Sequence, residues 1–187
     1  DSLEPKAKEY IEYIHNASGR LSDQIKALLE HSRIGRDIKM ARVDTKEIVE
    51  IVKYDLGKRI NECGASIHSG KLPVVNGLKV ELRLLFQNLI GNAIKYCKKD
   101  VHPDIRINSF KDNGYHIFSI ADNGIGMKEK DLESIFTIFN RVPTDDAYEG
   151  TGVGLAHCEK IVKLHGGKIW ADSKEGVGST FYFKIKE

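Results

Sequence analysis

Asn88 and Asn92 stand four residues apart in the run Gln87-Asn88-Leu89-Ile90-Gly91-Asn92-Ala93-Ile94-Lys95-Tyr96, and that pairing constrains the chain more than any other run in it. On a helix, positions i and i+4 share a face, so both amides point the same way, with Lys95 one turn on. Two neutral oxygen donors beside a cation suit Mg²⁺ carrying a phosphate chain, because Mg²⁺ prefers oxygen ligands and keeps several waters. Two glycine-rich runs follow, Asp122-Asn123-Gly124-Ile125-Gly126-Met127 and Gly150-Thr151-Gly152-Val153-Gly154-Leu155. Alone, the first reads as a strand-ending turn and the second as a flexible loop. In this order, after the asparagine pair, they read as parts of one site.

The periodicity places these runs on elements. Residues 4–37 read as one long helix, with an apolar stripe at Tyr10, Ile11, Ile14, Leu21, Ile25 and Leu28. Such a stripe needs a partner: this chain's own domain, or a second helix of a hairpin or bundle. Ala41–Val43 is a short strand, and Asp44 with Glu47 opens a helix to about Arg59 in the manner of a capping box. Short strands are expected near 66–68 and 72–74, and the asparagine helix covers about 78–98. Residues 105–110 and 116–121 alternate around Asn113-Gly114 as a hairpin. A short helix near 128–135, an irregular stretch to Glu149 and a helix over 152–165 ended by Gly166-Gly167 follow. Strands 168–172 and 180–185 complete the chain. Helices and strands mix without strict alternation, which predicts an α+β, two-layer sandwich rather than a doubly wound parallel sheet.

Each run carries a specific chemistry. Asp122 suits a buried carboxylate that accepts a hydrogen bond from an adenine amino group, with Gly124 and Gly126 letting the backbone pass under the base. The glycines at 150, 152 and 154 open a helix, where backbone N–H groups form an anion site for phosphates. The spacing is neither the dinucleotide fingerprint nor a Walker A loop. Residues 136–149, with Phe136, Phe139 and Arg141, read as a lid, the phenylalanines serving as its latch or as core anchors.

Composition excludes several classes. A net charge of +2 is too small to imply nucleic acid or an acidic membrane. No apolar run approaches the ~20 residues that span a bilayer, so no membrane contact is expected of this segment. Cys63, Cys97 and Cys158 have no CxxC spacing and read as reduced thiols in a cytosolic compartment. The seven histidines show no metal-ligand spacing.

Taken together, Asn-x-x-x-Asn-Ala-x-Lys-Tyr, Asp-x-Gly-x-Gly, Phe-x-x-Phe and Gly-x-Gly-x-Gly-Leu resemble the N, G1, F and G2 boxes of sensor histidine kinases, in the superfamily of gyrase B, Hsp90 and MutL. The resemblance covers about residues 40–187. It implies the Bergerat ATP-binding fold, with helices on one face of a mixed sheet, ATP and Mg²⁺ as ligands, and a cytoplasmic location. It further implies Asn92 as principal Mg²⁺ ligand with Asn88 assisting, Lys95 on phosphate and Tyr96 beside the adenine. Asp122, with Gly124, Ile125, Gly126 and Met127, reads the base. Gly150, Gly152 and Gly154 wrap the phosphates, Arg141, Thr151, Val153 and Leu155 complete the ATP-binding set, and Thr180 supplies the hydroxyl that supports Asp122.

Residues 1–38 resemble the second helix of the dimerisation and phosphotransfer hairpin, leaving 39–187 as the catalytic domain. The acceptor histidine belongs to the first helix of that hairpin. Neither His15, followed by Asn16, nor His31, followed by Ser32, has the acidic residue and proline that accompany it. The resemblance thus implies a catalytic fragment whose acceptor lies elsewhere, whose intact parent is a homodimer, and whose partner is a response-regulator receiver domain. Hydrolysing relatives carry a glutamate general base one turn before the metal asparagine. Here Asn88 holds that position and cannot take a proton from water, so futile hydrolysis is expected to be slow. The other reading is an anti-sigma-type serine kinase that sequesters a partner, which the long leading helix disfavours.

Overall fold

A computed structural model describes residues 5–36, 39–140 and 151–187. The helix α1 runs from Pro5 to Arg33, followed by β1 (Ala41–Asp44), α2 (Thr45–Asp55), α3 (Gly57–Cys63), β2 (Ser66–Ser69) and β3 (Val74–Gly77). Next come α4 (Lys79–Lys95), the hairpin β4 (Asp104–Asp112) and β5 (Tyr115–Asp122), α5 (Gly154–Leu164), β6 (Lys168–Lys174) and β7 (Gly178–Lys186). The main sheet has the order β2-β4-β5-β7-β6. Only its β2–β4 pairing is parallel, and β1 and β3 form a separate antiparallel pair. The two-layer α+β arrangement is the one the sequence predicts.

One face of the sheet is covered. Along β4, β5 and β7 the inward positions are Ile105, Ile107, Phe118, Ile120, Phe181 and Phe183, all buried, as the period of two requires. Against them α4 sets Leu82, Leu85, Phe86, Leu89 and Ile90, each fully buried. Phe86 stands edge-on to Phe118 and Phe183, at centroid distances of 5.8 and 5.6 Å, while those two rings stack at 4.7 Å. These offset and edge contacts are the favoured aromatic geometries. The same helix that fills the core therefore carries Asn88 and Asn92, so the site is anchored to the buried core.

Local chemistry sets the remaining boundaries. Asp44 caps α2, its Oδ1 accepting the N–H groups of Lys46 at 2.8 Å and Glu47 at 3.4 Å. The expected single helix to Arg59 is interrupted at Leu56, which caps α2 and precedes α3. The strand expected over 72–74 is displaced to Val74–Gly77. Pro73 has no N–H to give a ladder, and its carbonyl instead accepts both the N–H and the Oγ1 hydrogen of Thr45, at 3.2 and 2.6 Å. In place of a helix over 128–135 the chain forms a 3₁₀ turn at Glu129–Asp131 followed by further turns.

The α1 stripe is not covered by the chain's own domain. Tyr10, Ile11, Ile14, Leu21 and Ile25 are all more than half exposed, so that partner is excluded for this stretch. Among the described residues, the end of α1 is where it touches the domain. Ala27 and Ile34 are buried there, the rings of His31 and His157 stack at 5.3 Å, and Lys160 Nζ donates to the His31 carbonyl at 2.6 Å.

Candidate functional site

The C-terminal half of α4 forms the floor of a cavity of about 250 Å³. The end of β5, the loop 123–127, the start of α5 and β7 close around it. Of the residues the sequence singles out, Asn88, Asn92, Lys95, Tyr96, Asp122, Ile125, Gly126, Met127, Thr151, Gly152, Gly154 and Leu155 all line this one cavity. These residues, from three separate stretches of sequence, converge because α4 lies across the sheet and α5 points its N-terminus at the Asn88 turn. A Cβ added at Gly154 would stand 3.1 Å from Asn88 Oδ1, so the absence of a side chain there permits the approach.

At the polar end Asn88 Nδ2 is buried with no hydrogen-bond partner among the described residues. A buried amide without a partner is costly, which points to a group supplied by a ligand. As placed, the nitrogen suits a phosphate oxygen. After the isosteric half-turn of the amide, the oxygen suits a divalent cation. Lys95 Nζ donates to Tyr96 Oη at 2.9 Å and lies 4.4 Å from the centre of that ring. The site thus joins two amides, one ammonium and a helix N-terminus, a donor set that fits Mg²⁺ and phosphate.

At the other end Asp122 Oδ1 accepts the N–H of Gly124 at 2.9 Å and of Ser179 at 3.2 Å. Neither bond uses Oδ2. Burial raises the Asp122 carboxyl above its ordinary value of 3.8, and the two backbone donors and the Lys98 charge oppose the rise. Gly126 has φ +67°, and a Cβ there would collide with the Lys174 carbonyl, so only glycine fits without displacing β6. Gly124 and Val153 do not line the cavity. Gly124 underlies it through its bond to Asp122, and Val153 is buried as the anchor of the α5 N-terminus.

The hydroxyl expected at Thr180 is a correction. In the β5–β7 ladder Thr180 pairs with Ala121 and lies on the face opposite the inward Phe181 and Phe183. The hydroxyl residue beside Asp122 is Ser179, which lines the cavity. Alternation carries the signal: Phe181, Phe183 and Ile185 mark the inward parity, and 179 shares it. Asn140, Ile135 and Phe181 also line the cavity and escape the sequence reading. No local pattern marks Asn140, which is held by its Nδ2 bond to the Ser134 carbonyl at 2.7 Å. The two phenylalanines separate: Phe136 packs against the core, whereas Phe139 is 42% exposed. Arg141, Gly150 and the rest of the expected lid from 141 on lie outside the described residues.

The sequence model of the histidine kinase-, DNA gyrase B- and HSP90-like ATPases matches residues 77–187. The chain belongs to this family. Within it, the phytochrome-like protein Cph1 of Synechocystis is 37% identical over 99% of this chain and 25% of its own length. The methanogenesis regulatory histidine kinase FilI of Methanothrix harundinacea is 30% identical over 96% of this chain and 20% of its own. The chain therefore spans about a quarter or less of these curated relatives. The nucleotide-free catalytic domain of histidine kinase ThkA aligns with a TM-score of 0.68 at 25% identity, covering 80% of this chain and 96% of that one. ThkA in complex with the response regulator TrrA gives 0.72 at 26%, covering all of this chain and 52% of that one. The family sets the domain as a histidine kinase-type, ATP-using catalytic domain. No helix among the described residues is long and apolar enough to cross a membrane.

Proposed function

We propose that this chain binds Mg²⁺·ATP in the α4–α5 cavity and transfers the γ-phosphate to a histidine outside the chain, as the catalytic unit of a sensor histidine kinase. The observation that carries the proposal is the pairing, in one cavity, of a half-buried acceptor at Asp122 with an Asn88 amide nitrogen that is buried and unpartnered among the described residues. A ligand that satisfies both must carry a hydrogen-bond donor at one end and an anion or hydrated cation at the other. ATP does so.

In this reading Asp122 Oδ2 accepts from the adenine amino group, with Tyr96, Ile125 and Met127 around the base. Asn92 and Asn88 hold the metal, Lys95 meets phosphate, and the N–H groups of Gly152 to Leu155 surround the phosphate oxygens. Arg141 and Gly150 belong to the same phosphate end. The bound Mg²⁺ supplies charge neutralisation on the transferring phosphoryl group. The protein's part is alignment and electrostatic support rather than covalent chemistry. No carboxylate replaces Asn88 as a general base on that turn, so water is not activated and the phosphate is kept for a positioned acceptor.

Residues 1–38 then form the second helix of a dimerisation hairpin, and 39–187 the catalytic domain. The unpaired stripe on α1 supports this, since a bundle partner would cover it. A response-regulator receiver domain receives the phosphate next, in the cytoplasm, from a homodimeric parent. The test is to extend the chain upstream by one helix and incubate it with Mg²⁺ and γ-labelled ATP. Acid-labile, base-stable label is expected. Acid-stable label would point to serine or threonine, and no label with intact nucleotide binding would sink the kinase reading.

A further inference from the structure

Ser173 lies on the inner face of β6, outside the cavity, yet three pieces of the site meet at its hydroxyl. Its Oγ accepts the Met127 N–H at 2.8 Å, lies 3.0 Å from the Gly178 carbonyl, and lies 2.9 Å from Ser179 Oγ. A hydroxyl has one proton and two lone pairs. The Met127 amide can only donate and the Gly178 carbonyl can only accept. The Ser173 proton is therefore committed to Gly178, one lone pair to Met127, and the other must receive the Ser179 proton. The direction of the chain is fixed: Ser179 to Ser173 to Gly178.

That direction decides what the cavity shows its ligand. Ser179 lines the cavity and its N–H is spent on Asp122 Oδ1. With its hydroxyl proton drawn away toward Ser173, Ser179 Oγ can offer only lone pairs to the cavity. Asp122 Oδ2 beside it is likewise an acceptor. The loop is also strapped to the β6–β7 turn by the Gly176 N–H on the Ile125 carbonyl at 2.7 Å, so its position relative to Ser173 is set.

We propose that Ser173 is a specificity-determining positioning residue: by orienting the Ser179 hydroxyl it keeps the Asp122–Ser179 edge of the cavity acceptor-only, and so favours purine nucleotides with an amino group at C6 over those with a keto oxygen. Without Ser173 the Ser179 hydroxyl is free to turn and donate, which weakens the bias against a keto oxygen that Asp122 alone then maintains. The inference rests on the reading of Asp122 as the adenine acceptor.

The test titrates the unsubstituted chain and its Ser173→Ala, Ser173→Cys and Ser173→Thr variants with Mg²⁺·ATP and Mg²⁺·ITP by calorimetry, with circular dichroism melts of each. The unsubstituted chain should prefer ATP. The ATP-over-ITP preference should fall on the order of tenfold in the alanine and the near-isosteric cysteine variants, and return with threonine. A merely structural role would weaken both nucleotides together and leave the ratio alone. An unchanged ratio in Ser173→Ala and Ser173→Cys, or a threonine variant that loses the preference as alanine does, overturns the inference. Failure of the unsubstituted chain to bind ATP would instead overturn the reading of Asp122 itself.

Discussion

Replacing Asp122 by asparagine separates binding from folding. Oδ1 keeps its two backbone donors in the variant, since an asparagine oxygen accepts them as well. What changes is the atom facing the cavity: an acceptor oxygen becomes an NH₂ group that meets the adenine amino group donor to donor. Loss of a charge-assisted hydrogen bond is worth about 1.5–3 kcal/mol, and a donor left buried without a partner adds about 1–3 kcal/mol. The sum corresponds to a loss of ATP affinity on the order of 10² to 10⁴. Stability should move the other way. Burial raises the folded carboxyl's value above 3.8, so its favourable contribution is present below that value and is lost as pH rises through the raised one. At neutral pH the ionised Asp122 is therefore a net burden, and Asp122→Asn should melt at the same temperature or higher. Calorimetric titration and a thermal melt on the same sample check both. Unchanged ATP affinity would refute the role of Asp122. A melting point several degrees lower would refute the electrostatic argument.

Three further outcomes are expected. Gly126→Ala places a Cβ at φ +67° and against the Lys174 carbonyl. It should destabilise the fold by at least about 1–2 kcal/mol in chemical denaturation and weaken ATP binding, and a neutral substitution would show that the loop relocates freely. Phe86→Ala removes the ring that stands edge-on to Phe118 and Phe183 and should cost about 3–5 kcal/mol by the same method, with less than about 1 kcal/mol contradicting the placement of the core. Burial lowers the value of His157 below 6.5, aided by the charges of His31 and Lys160 and opposed by the Ala27 carbonyl and Glu30. The neutral ring is thus favoured when folded, and the docking of α1 on α5 should weaken as pH falls through 6.5 toward the depressed value. Hydrogen exchange over residues 30–34 should then accelerate, and constant protection down to the acid side would contradict it.

The sequence exposes most where a residue's role is local. Asp44 caps α2 because its side chain needs only the next three amides, and Asn113-Gly114 turns the β4–β5 hairpin with φ +47° and +77°. Asn88 and Asn92 share a face by the period of the helix alone. What it hides depends on parity or on distant chain. A hydroxyl pair, Ser179-Thr180, admits both assignments until the inward set of β7 is counted, and the wrong one puts the hydroxyl through the sheet. Asn140 reaches the cavity only because turns after Ser134 bring it there, and Pro73 moved a strand by giving its carbonyl to Thr45. The apolar stripe of α1 was legible as a stripe. Its partner was not, since periodicity reports that a face wants burial and never what buries it.

The most direct test of the account follows individual nuclei during titration of the ¹⁵N-labelled chain with Mg²⁺ and a non-hydrolysable ATP analogue. The backbone amides of Gly124 and Ser179 and the side-chain amides of Asn88 and Asn92 should shift together with one saturation curve, while Thr180 and Tyr182, on the opposite face of the sheet, stay close to their free positions. Shifts confined to the asparagines, or centred on residues outside the α4–α5 cavity, would contradict a site in which one nucleotide joins Asp122 to the asparagine pair.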